Sequence, residues 1–465
     1  MLAKNIQVAY GLTAFLRLLL VSFVLTVCGF LFLRQHHFPH APLHVVQLHG
    51  PSGFAAPTNW KSLDFDTAMK TFWPSLAAAL RDATPNTPTI GVEDGLPTAN
   101  NTRFDPLEPN KQRVERLNLT VADEKTLFRA HYHMRTSALR LGAQLPYKPA
   151  TTGIVTTVSP KYMPIFLVSL RMIRRTGCTL PVEVFVGDWS EYDHDACESL
   201  LPSLNARCIV QSDIYSKAEH IAQPHHFQYK IFAILFSSFQ NVLFLDSDAF
   251  PAHDPTSLFK TQPYTSHGLV VWPDIWANTV SSHYYHVAGI PEVPVSTRLS
   301  SESGQLMLDK ARHRESLLMM VYYNYYGPTH YYPLLCQGNH GAGDKETFIH
   351  AAMALDLPWY QVKQSSAPLG RWNEKKYKFV GMGQVDPTLD FVYGRPMPNH
   401  LHTSEKWEDG DIKQSDSAIE LKAPQKPTPF FIHSMVRKYD PTKVLPHSLL
   451  QLVSTRPRGV WIPFI

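Results

Sequence analysis

Asp246 and Asp248 stand one residue apart and follow four apolar residues, Val242 to Leu245, in the stretch NVLFLDSDAFPAHDPTSLF. Two carboxylates this close repel one another unless a cation or a shared proton neutralises them. Oxygen donors of this kind suit Mg2+ or Mn2+ better than a thiolate-seeking metal. An ion held there grips a diphosphate and offsets the charge that builds on it as a bond breaks. Spacing alone decides little, because D-x-D arises about once by chance in a chain of this length. This chain has four such triplets: Asp64-Phe65-Asp66, Asp193-His194-Asp195, Asp246-Ser247-Asp248 and Asp409-Gly410-Asp411. The first, second and fourth lie in polar text and read as solvated surface; only the third closes an apolar strand. An aspartyl-phosphate phosphatase or phosphotransferase also sets D-x-D after a buried strand. That chemistry wants Thr two residues beyond the second Asp, where Phe250 stands here.

The elements that must carry the pair begin after Pro149. Gly153 to Val158, Pro181 to Val186 and Ala206 to Val210 are short, β-branched or apolar runs. Between them, Tyr162, Ile165, Phe166, Ser169, Leu170 and Ile173 form a helical stripe, and Tyr192 to Leu201 reads as a helix. Phe227 to Phe239 reads as a further helix that delivers the chain to NVLFL. Strands apolar throughout, alternating with helices, predict an α/β domain whose mostly parallel sheet is covered on both faces. Ligands of such sheets bind beyond the carboxyl ends of the strands, which is where Asp246 and Asp248 fall. From Gln35 to about Pro109 the text is rich in Pro, Asn, Thr and Gly and suits a spacer, with Trp60 to Arg81 as one helical piece. Thr120 to Asp123 resembles a capping box that opens a helix toward Leu141.

The 465 residues are 44% hydrophobic and 18% charged, as in a folded protein. A net charge of +4 with no dense basic run gives nucleic-acid binding little support. Leu18 to Leu33 contain no charged side chain and are bracketed by Arg17 and Arg34. This stretch is expected to act as an uncleaved signal anchor, with residues 1–17 cytoplasmic, 34–110 a stem and 111–465 a lumenal domain. The competing reading is a cleaved signal peptide, but FLFLRQHHF is a poor cleavage context. Asn100-Asn101-Thr102 and Asn118-Leu119-Thr120 are glycosylation sequons. Outside the anchor, Cys178, Cys197, Cys208 and Cys336 form an even set able to make two disulfides in an oxidising lumen, with buried free thiols as the alternative.

The run FQYKIFAILFSSFQNVLFLDSDAFPAHDPTSLF, followed by GLVVWPDIW, HYYHVAGI, SESGQLMLDKARH and GAGDKETF, resembles the fungal Golgi α-mannosyltransferases of glycosyltransferase family 71. The likeness covers about Pro146 to Pro441, and the order of blocks is closer to the α-1,2 than to the α-1,3 branch. It implies a GT-A-like single catalytic domain behind a type II anchor in the Golgi membrane. It also implies transfer of mannose from GDP-mannose, with Mn2+ or Mg2+, to a mannose-containing glycan, with retention of the α configuration. An α-1,3 enzyme, a transferase using another nucleotide sugar, and an inactive carbohydrate-binding relative are the alternatives. The last draws its support from Ala249, where the family commonly has Asn.

Carried over residue by residue, the resemblance makes Asp246 and Asp248 the metal and diphosphate ligands, and His433, after the short strand PFFI, a third metal ligand. Lys230 would reach a phosphate, its competing reading being a solvated lysine. Trp272, Asp274 and Trp276 would line a sugar pocket, against core packing for the tryptophans. Glu302 and Gln305 would belong to a donor- or acceptor-contacting loop, against a cap or a strand entry. Asp344, and after it Glu346, would present an acid near the transferred sugar. The clustered His283 and His286 read as packing or acceptor contacts.

Overall fold

Apolar residues at every position of a strand require cover on both faces, and the chain supplies it. In a computed structural model, residues 64–98, 104, 111–373, 376–392, 428–436 and 438–441 are described. The expected tail and anchor, residues 1–33, and the sequon at Asn100 lie outside them. Among the described residues no helix is long and apolar enough to cross a membrane.

Besides a two-residue pair, Gly91–Val92 with Leu117–Asn118, the strands of the two larger sheets in chain order are β1 (Lys148–Thr157), β2 (Val182–Val186), β3 (Ala206–Val210), β4 (Phe239–Leu245), β5 (Ala249–Pro251), β6 (Leu269–Ala277), β7 (Leu299–Asp309), β8 (Tyr360–Gln361), β9 (Ala367–Asn373), β10 (Lys376–Val385) and β11 (Pro429–His433). The helices that matter here are α1 (Phe65–Asp82), α2 (Val121–Gly142), α3 (Met163–Arg175), α4 (Gln228–Phe236), α5 (Ser282–Ala288), α6 (Arg314–Tyr325) and α7 (Thr347–Met353). A seven-stranded sheet runs β8-β6-β7-β4-β1-β2-β3. Its pairs are parallel except those that β7 makes with β4 and β6. The expected mostly parallel α/β sheet is therefore present, with one reversed strand in its middle.

Side chains alternate between two cores, as the period of two demands. Val242 and Phe244 of β4, Leu306 and Leu308 of β7, and Leu269 and Val271 of β6 enter the core under α1, α2, α4, α6 and α7. Leu243 and Leu245, Met307, and Val270 and Trp272 enter the opposite core with α3. A four-stranded antiparallel sheet, β9-β10-β11-β5, abuts that second face. Trp272 bolts the two sheets together. Its indole N–H donates to Val385 O at 2.9 Å, and its ring meets Phe431 edge-on at 5.1 Å.

The helices predicted around Trp60–Arg81, Thr120–Leu141, the Tyr162–Ile173 stripe and Phe227–Phe239 form with shifted ends, whereas the one predicted over Tyr192 to Leu201 is replaced by a 3-10 turn at Trp189–Glu191 and a π turn at Ala196–Leu200. Thr120 caps α2 by accepting from Asp123 N at 3.1 Å and donating to its carboxylate at 2.6 Å. Asp64 caps α1 through Thr67 N at 3.0 Å. The structure differs from the expected spacer here. Trp73 of α1 donates to Tyr215 O at 2.8 Å and packs edge-on against Phe232 and Phe236 of α4, at 5.6 and 5.5 Å. Residues 65–82 thus belong to the first core, because the α1 face carrying Met69, Phe72, Trp73, Leu76 and Leu80 needs apolar partners. The cysteines also differ from a double pairing. Cys197 and Cys208 form a disulfide, whereas Cys178 and Cys336 are free and buried. Asn118 is exposed at the end of a two-residue strand.

Replacing Trp73 by Ala removes this large buried ring, which lowers the unfolding free energy by about 3–5 kcal/mol. Urea unfolding of the variant checks this; an unchanged midpoint would mean that α1 is not part of the folded core.

Candidate active site

β4 ends where the two sheets meet. Asp246 N makes the last rung there, donating to Gly304 O at 2.8 Å. The turn Asp246-Ser247-Asp248 then closes through Ala249 N on Asp246 O at 2.9 Å, and β5 continues in the other sheet. Two further bonds pin the turn: Ser169 Oγ of α3 donates to Ser247 O at 2.8 Å, and Ser434 N to Asp248 O at 3.0 Å. Because β11 pairs antiparallel with β5, His433 lies directly across from Ala249. The departure at Ala249 therefore falls on a buried rung beside His433 and leaves both carboxylates in place.

His433 bonds through Nδ1 to Glu302 Oε1 at 2.8 Å. Its Nε2 stands 3.4 Å from Asp248 Oδ1 and 3.9 Å from Asp246 Oδ2. One donor atom from each of the three residues lies within 4.8 Å of the others. Two glycines make this approach possible. A Cβ at Gly304 would lie 2.4 Å from His433 Nδ1, and one at Gly381 would lie 2.2 Å from His433 O.

Two ammonium groups face the carboxylates. Lys230 Nζ lies 3.3 Å from Asp246 Oδ1 and 3.1 Å from Asp344 Oδ2, and donates to Ser303 O at 2.6 Å. Lys438 Nζ bonds Asp248 Oδ2 and lies over the Tyr162 ring. Burial pushes the Asp246 carboxyl up despite Lys230 and His433. Burial pushes Asp248 the same way, but the His433 hydrogen bond and charge and Lys438 outweigh it and hold the group at about 2. Burial alone would lower His433; Glu302 and Asp248 overcome it and raise the ring to about 10. Glu302 itself stays below the usual carboxylate range because His433 and Gly304 N outweigh its burial.

The residues fit a divalent cation on two counts. The carboxylates of Asp246, Asp248, Glu302 and Asp344 face the ammonium groups of Lys230 and Lys438 and the protonated His433 ring, so the cluster is one positive charge short, and a divalent ion that displaced the proton on His433 Nε2 would balance it. Moreover, a histidine whose Nδ1–H is given to a carboxylate presents Nε2 as a lone pair in a fixed direction, the usual device of metal-binding imidazoles.

Other sequence-predicted residues sit differently. Glu302 and Gln305 are in the interior of β7, buried, and not on an open loop. Glu302 orients His433, while Gln305 donates to Glu302. Trp272 is 0% exposed, so it joins the sheets and touches no pocket. Asp274 pairs with Lys345 at 3.0 Å, and Trp276 stacks on His340 at 4.6 Å nearby. Asp344 is buried between Ser303 Oγ, at 3.0 Å, and Lys230. Glu346 is not offered to a ligand. Arg298 Nη2 meets it at 2.5 Å, both side chains are 1% exposed, and Ser300 Oγ and Ser301 N complete its shell at 2.9 and 2.7 Å. Lys438, Gly381 and the site roles of Gly304 and Ser169 escaped sequence reading. Lys438 five residues after His433 offered a faint signal; the glycines and the serine offered none.

A family model for mannosyltransferases, Mannosyl_trans3, matches residues 151–298 and 294–386. The chain is 36% identical over 335 residues to the alpha-1,2-mannosyltransferase MNN24 of Candida albicans, covering 62% of this chain and 46% of that protein. It is 34% identical over 404 residues to MNN21 of the same organism, covering 72% and 60%. It is 32% identical over 328 residues to MNN5 of Saccharomyces cerevisiae, covering 59% and 56%. The chain thus spans about half the length of the curated relatives it matches. Among solved structures, the galactosyltransferase LgtC is 13% identical with a TM-score of 0.29, over 43% of this chain and 70% of that one. The glycosyltransferase GlyE of Streptococcus pneumoniae is 14% identical with a TM-score of 0.28, over 45% of each chain.

Two substitutions test this geometry. Gly304→Ala drives a methyl group into the His433 ring and should abolish Mn2+ binding measured by calorimetry, with the circular dichroism spectrum unchanged; undiminished binding would remove His433 from the site. Arg298→Met strands the Glu346 charge in the core and should cost about 3–5 kcal/mol in urea unfolding, whereas a neutral result would mean that Glu346 is free to act elsewhere.

Proposed function

The chain belongs to the mannosyltransferase family, and from that premise we propose that it moves mannose from GDP-mannose to a hydroxyl of a mannose-containing glycan, forming an α-1,2 linkage. The matched relatives are alpha-1,2-mannosyltransferases, which favours this linkage over α-1,3. The reading carries with it a GT-A-like arrangement, a divalent cation (Mn2+ or Mg2+), and residence in the Golgi membrane through the apolar run Leu18 to Leu33. The single observation that carries the chemistry is the convergence of Asp246, Asp248 and His433 at the carboxyl end of β4, with Glu302 behind the imidazole.

Asp246, Asp248 and His433 would hold the cation. When bound, it supplies positive charge to the diphosphate and so makes GDP a better leaving group. Lys230 and Lys438 each already touch one of the two aspartates, so both ammonium groups stand beside the place a diphosphate would take. There they add charge stabilisation that grows as the glycosidic bond breaks. Asp344 has Ser303 on one oxygen and Lys230 on the other. It is a positioning residue for Lys230 in this reading, which favours same-face attack over a covalent carboxylate intermediate. Trp276 and His340, stacked beside the Asp274–Lys345 pair, offer an aromatic surface on which an acceptor sugar could lie.

The test uses the full chain with a panel of nucleotide sugars, Mn2+ and mannose oligosaccharides, followed by linkage analysis. The expected product is an added α-1,2-linked mannose from GDP-mannose alone. Asp248→Asn should lower turnover on the order of a hundredfold or more without loss of fold. Full activity in that variant, or transfer only from another donor, would overturn the proposal.

A further inference from the structure

Away from the sheet edge, a second group of donor atoms converges between two helices. Glu124 lies in the first turn of α2, and His283 and His286 are one turn apart on α5. Three-residue spacing puts both imidazoles on one face of the helix, while Tyr284, Tyr285, Val287 and Ala288 of the same helix are buried beneath them. His283 Nδ1 bonds Glu124 Oε2, and His286 Nδ1 lies 3.4 Å from Glu124 Oε1. The rings stand edge to face, at 85° with centroids 6.5 Å apart, and each brings its Nδ1 to an oxygen of the same carboxylate. One donor atom from each of the three residues falls within 4.8 Å of the others. None of them touches Asp246, Asp248, His433 or the lysines described above.

We propose that Glu124, His283 and His286 form a second divalent-metal site, of the imidazole-and-carboxylate kind that takes zinc, tying α2 to α5. Two neutral imidazole nitrogens and one carboxylate oxygen make a three-protein-ligand zinc set with a fourth position open to water. The His286 side chain is 61% exposed, which gives an ion its way in and leaves that fourth position wet. Nitrogen donors set this cluster apart in preference as well: imidazole favours zinc, whereas the oxygen-rich pair after β4 suits manganese or magnesium. Nitrogen and oxygen ligands about 2.0–2.2 Å from a tetrahedral ion stand roughly 3.3 Å from one another, close to the His286–Glu124 separation. A modest shift of the His283 and Glu124 side chains completes the geometry. The consequence is mechanical. α5 also carries Tyr284, whose hydroxyl donates to His350 O at 2.8 Å, and His350 lies against Glu346. A metal staple on the outer face of α5 would thus brace the helix that backs the Arg298–Glu346 strut.

The experiment measures zinc bound per full-length chain by elemental analysis, and the thermal midpoint in zinc, in magnesium and in chelator, for the wild type and for His286→Ala. His286 is exposed, so the variant is not expected to lose its fold; Glu124→Gln serves as an independent second variant. Both variants should hold one fewer zinc ion per chain, binding at the lost site about tenfold or more weakly. They should also lose the zinc-dependent rise in midpoint. Equal zinc content and an equal midpoint response in wild type and variants would overturn the proposal and leave the three residues as an ion pair only.

Discussion

The contact between the His433 ring and the backbone at Gly304 is the point on which the site depends. Four carboxylates lie within one small volume at the seam of two sheets, and most of them are buried. Such a cluster persists only if positive charge is delivered to it at fixed positions. His433 delivers it from a strand nearly two hundred residues downstream of the acidic pair, and it reaches them because residue 304 has no side chain. The reversed strand β7 sets that distance. It places Gly304 O on Asp246 N, Glu302 behind the imidazole, and Ser303 against both Lys230 and Asp344.

The rest of the molecule holds these two sheets in register. Trp272 spends its indole N–H on Val385 O and its ring on Phe431, which keeps β10 and β11 seated on β6. Gln384 adds a bond to Pro273 O at 2.8 Å. On the other side, the buried Arg298–Glu346 pair clamps the start of β7 to the segment that carries Asp344. Removing one partner of such a pair costs more than the pair contributes, because the remaining charge has no water to turn to. Rigidity at this seam suits the electrostatic role proposed for the site, since donors that must reorganise during reaction stabilise less.

What the sequence revealed followed from locality. The strand NVLFL, the D-x-D that follows it, the helical stripe of α3 and the Thr120 cap are each written within a dozen residues, and all of them stand in the structure. Trp272 and Glu346 resisted for the opposite reason. Whether a tryptophan faces a sugar or a second sheet depends on Phe431 and Val385, more than a hundred residues away, and no periodicity within WPDIW encodes them. Glu346 reads as an acid on a glycine-bordered loop until Arg298 is seen to occupy it. The resemblance made the ESGQ segment a ligand-contacting loop with a strand entry as its alternative, and pairing with β4 and β6 makes it strand. Composition likewise hid that α1, read as a helical piece of a spacer, belongs to the core: a polar, proline-rich neighbourhood surrounds a helix whose one apolar face is enough to draw it in. Counting cysteines could not separate the bonded pair from the buried thiols, since that depends on which side chains meet.

Comparing the two histidine–carboxylate clusters shows what burial adds to a donor set. In both, imidazole nitrogen and carboxylate oxygen come within the same separation. At the sheet seam His433 is nearly buried, its Nδ1 is committed to Glu302, and two lysines crowd the carboxylates. Charge there is strongly coupled, weakly screened, and able to act on a bound anion. At the helix pair, His286 faces water and Glu124 is the sole acid of the set. Solvent screens that cluster and no second cation-bearing side chain belongs to it, so an ion there could tie two helices but would exert little force on a distant phosphate. On the readings proposed above, the two histidine–carboxylate sets therefore separate into a reactive centre and a brace according to how much water each is allowed to keep.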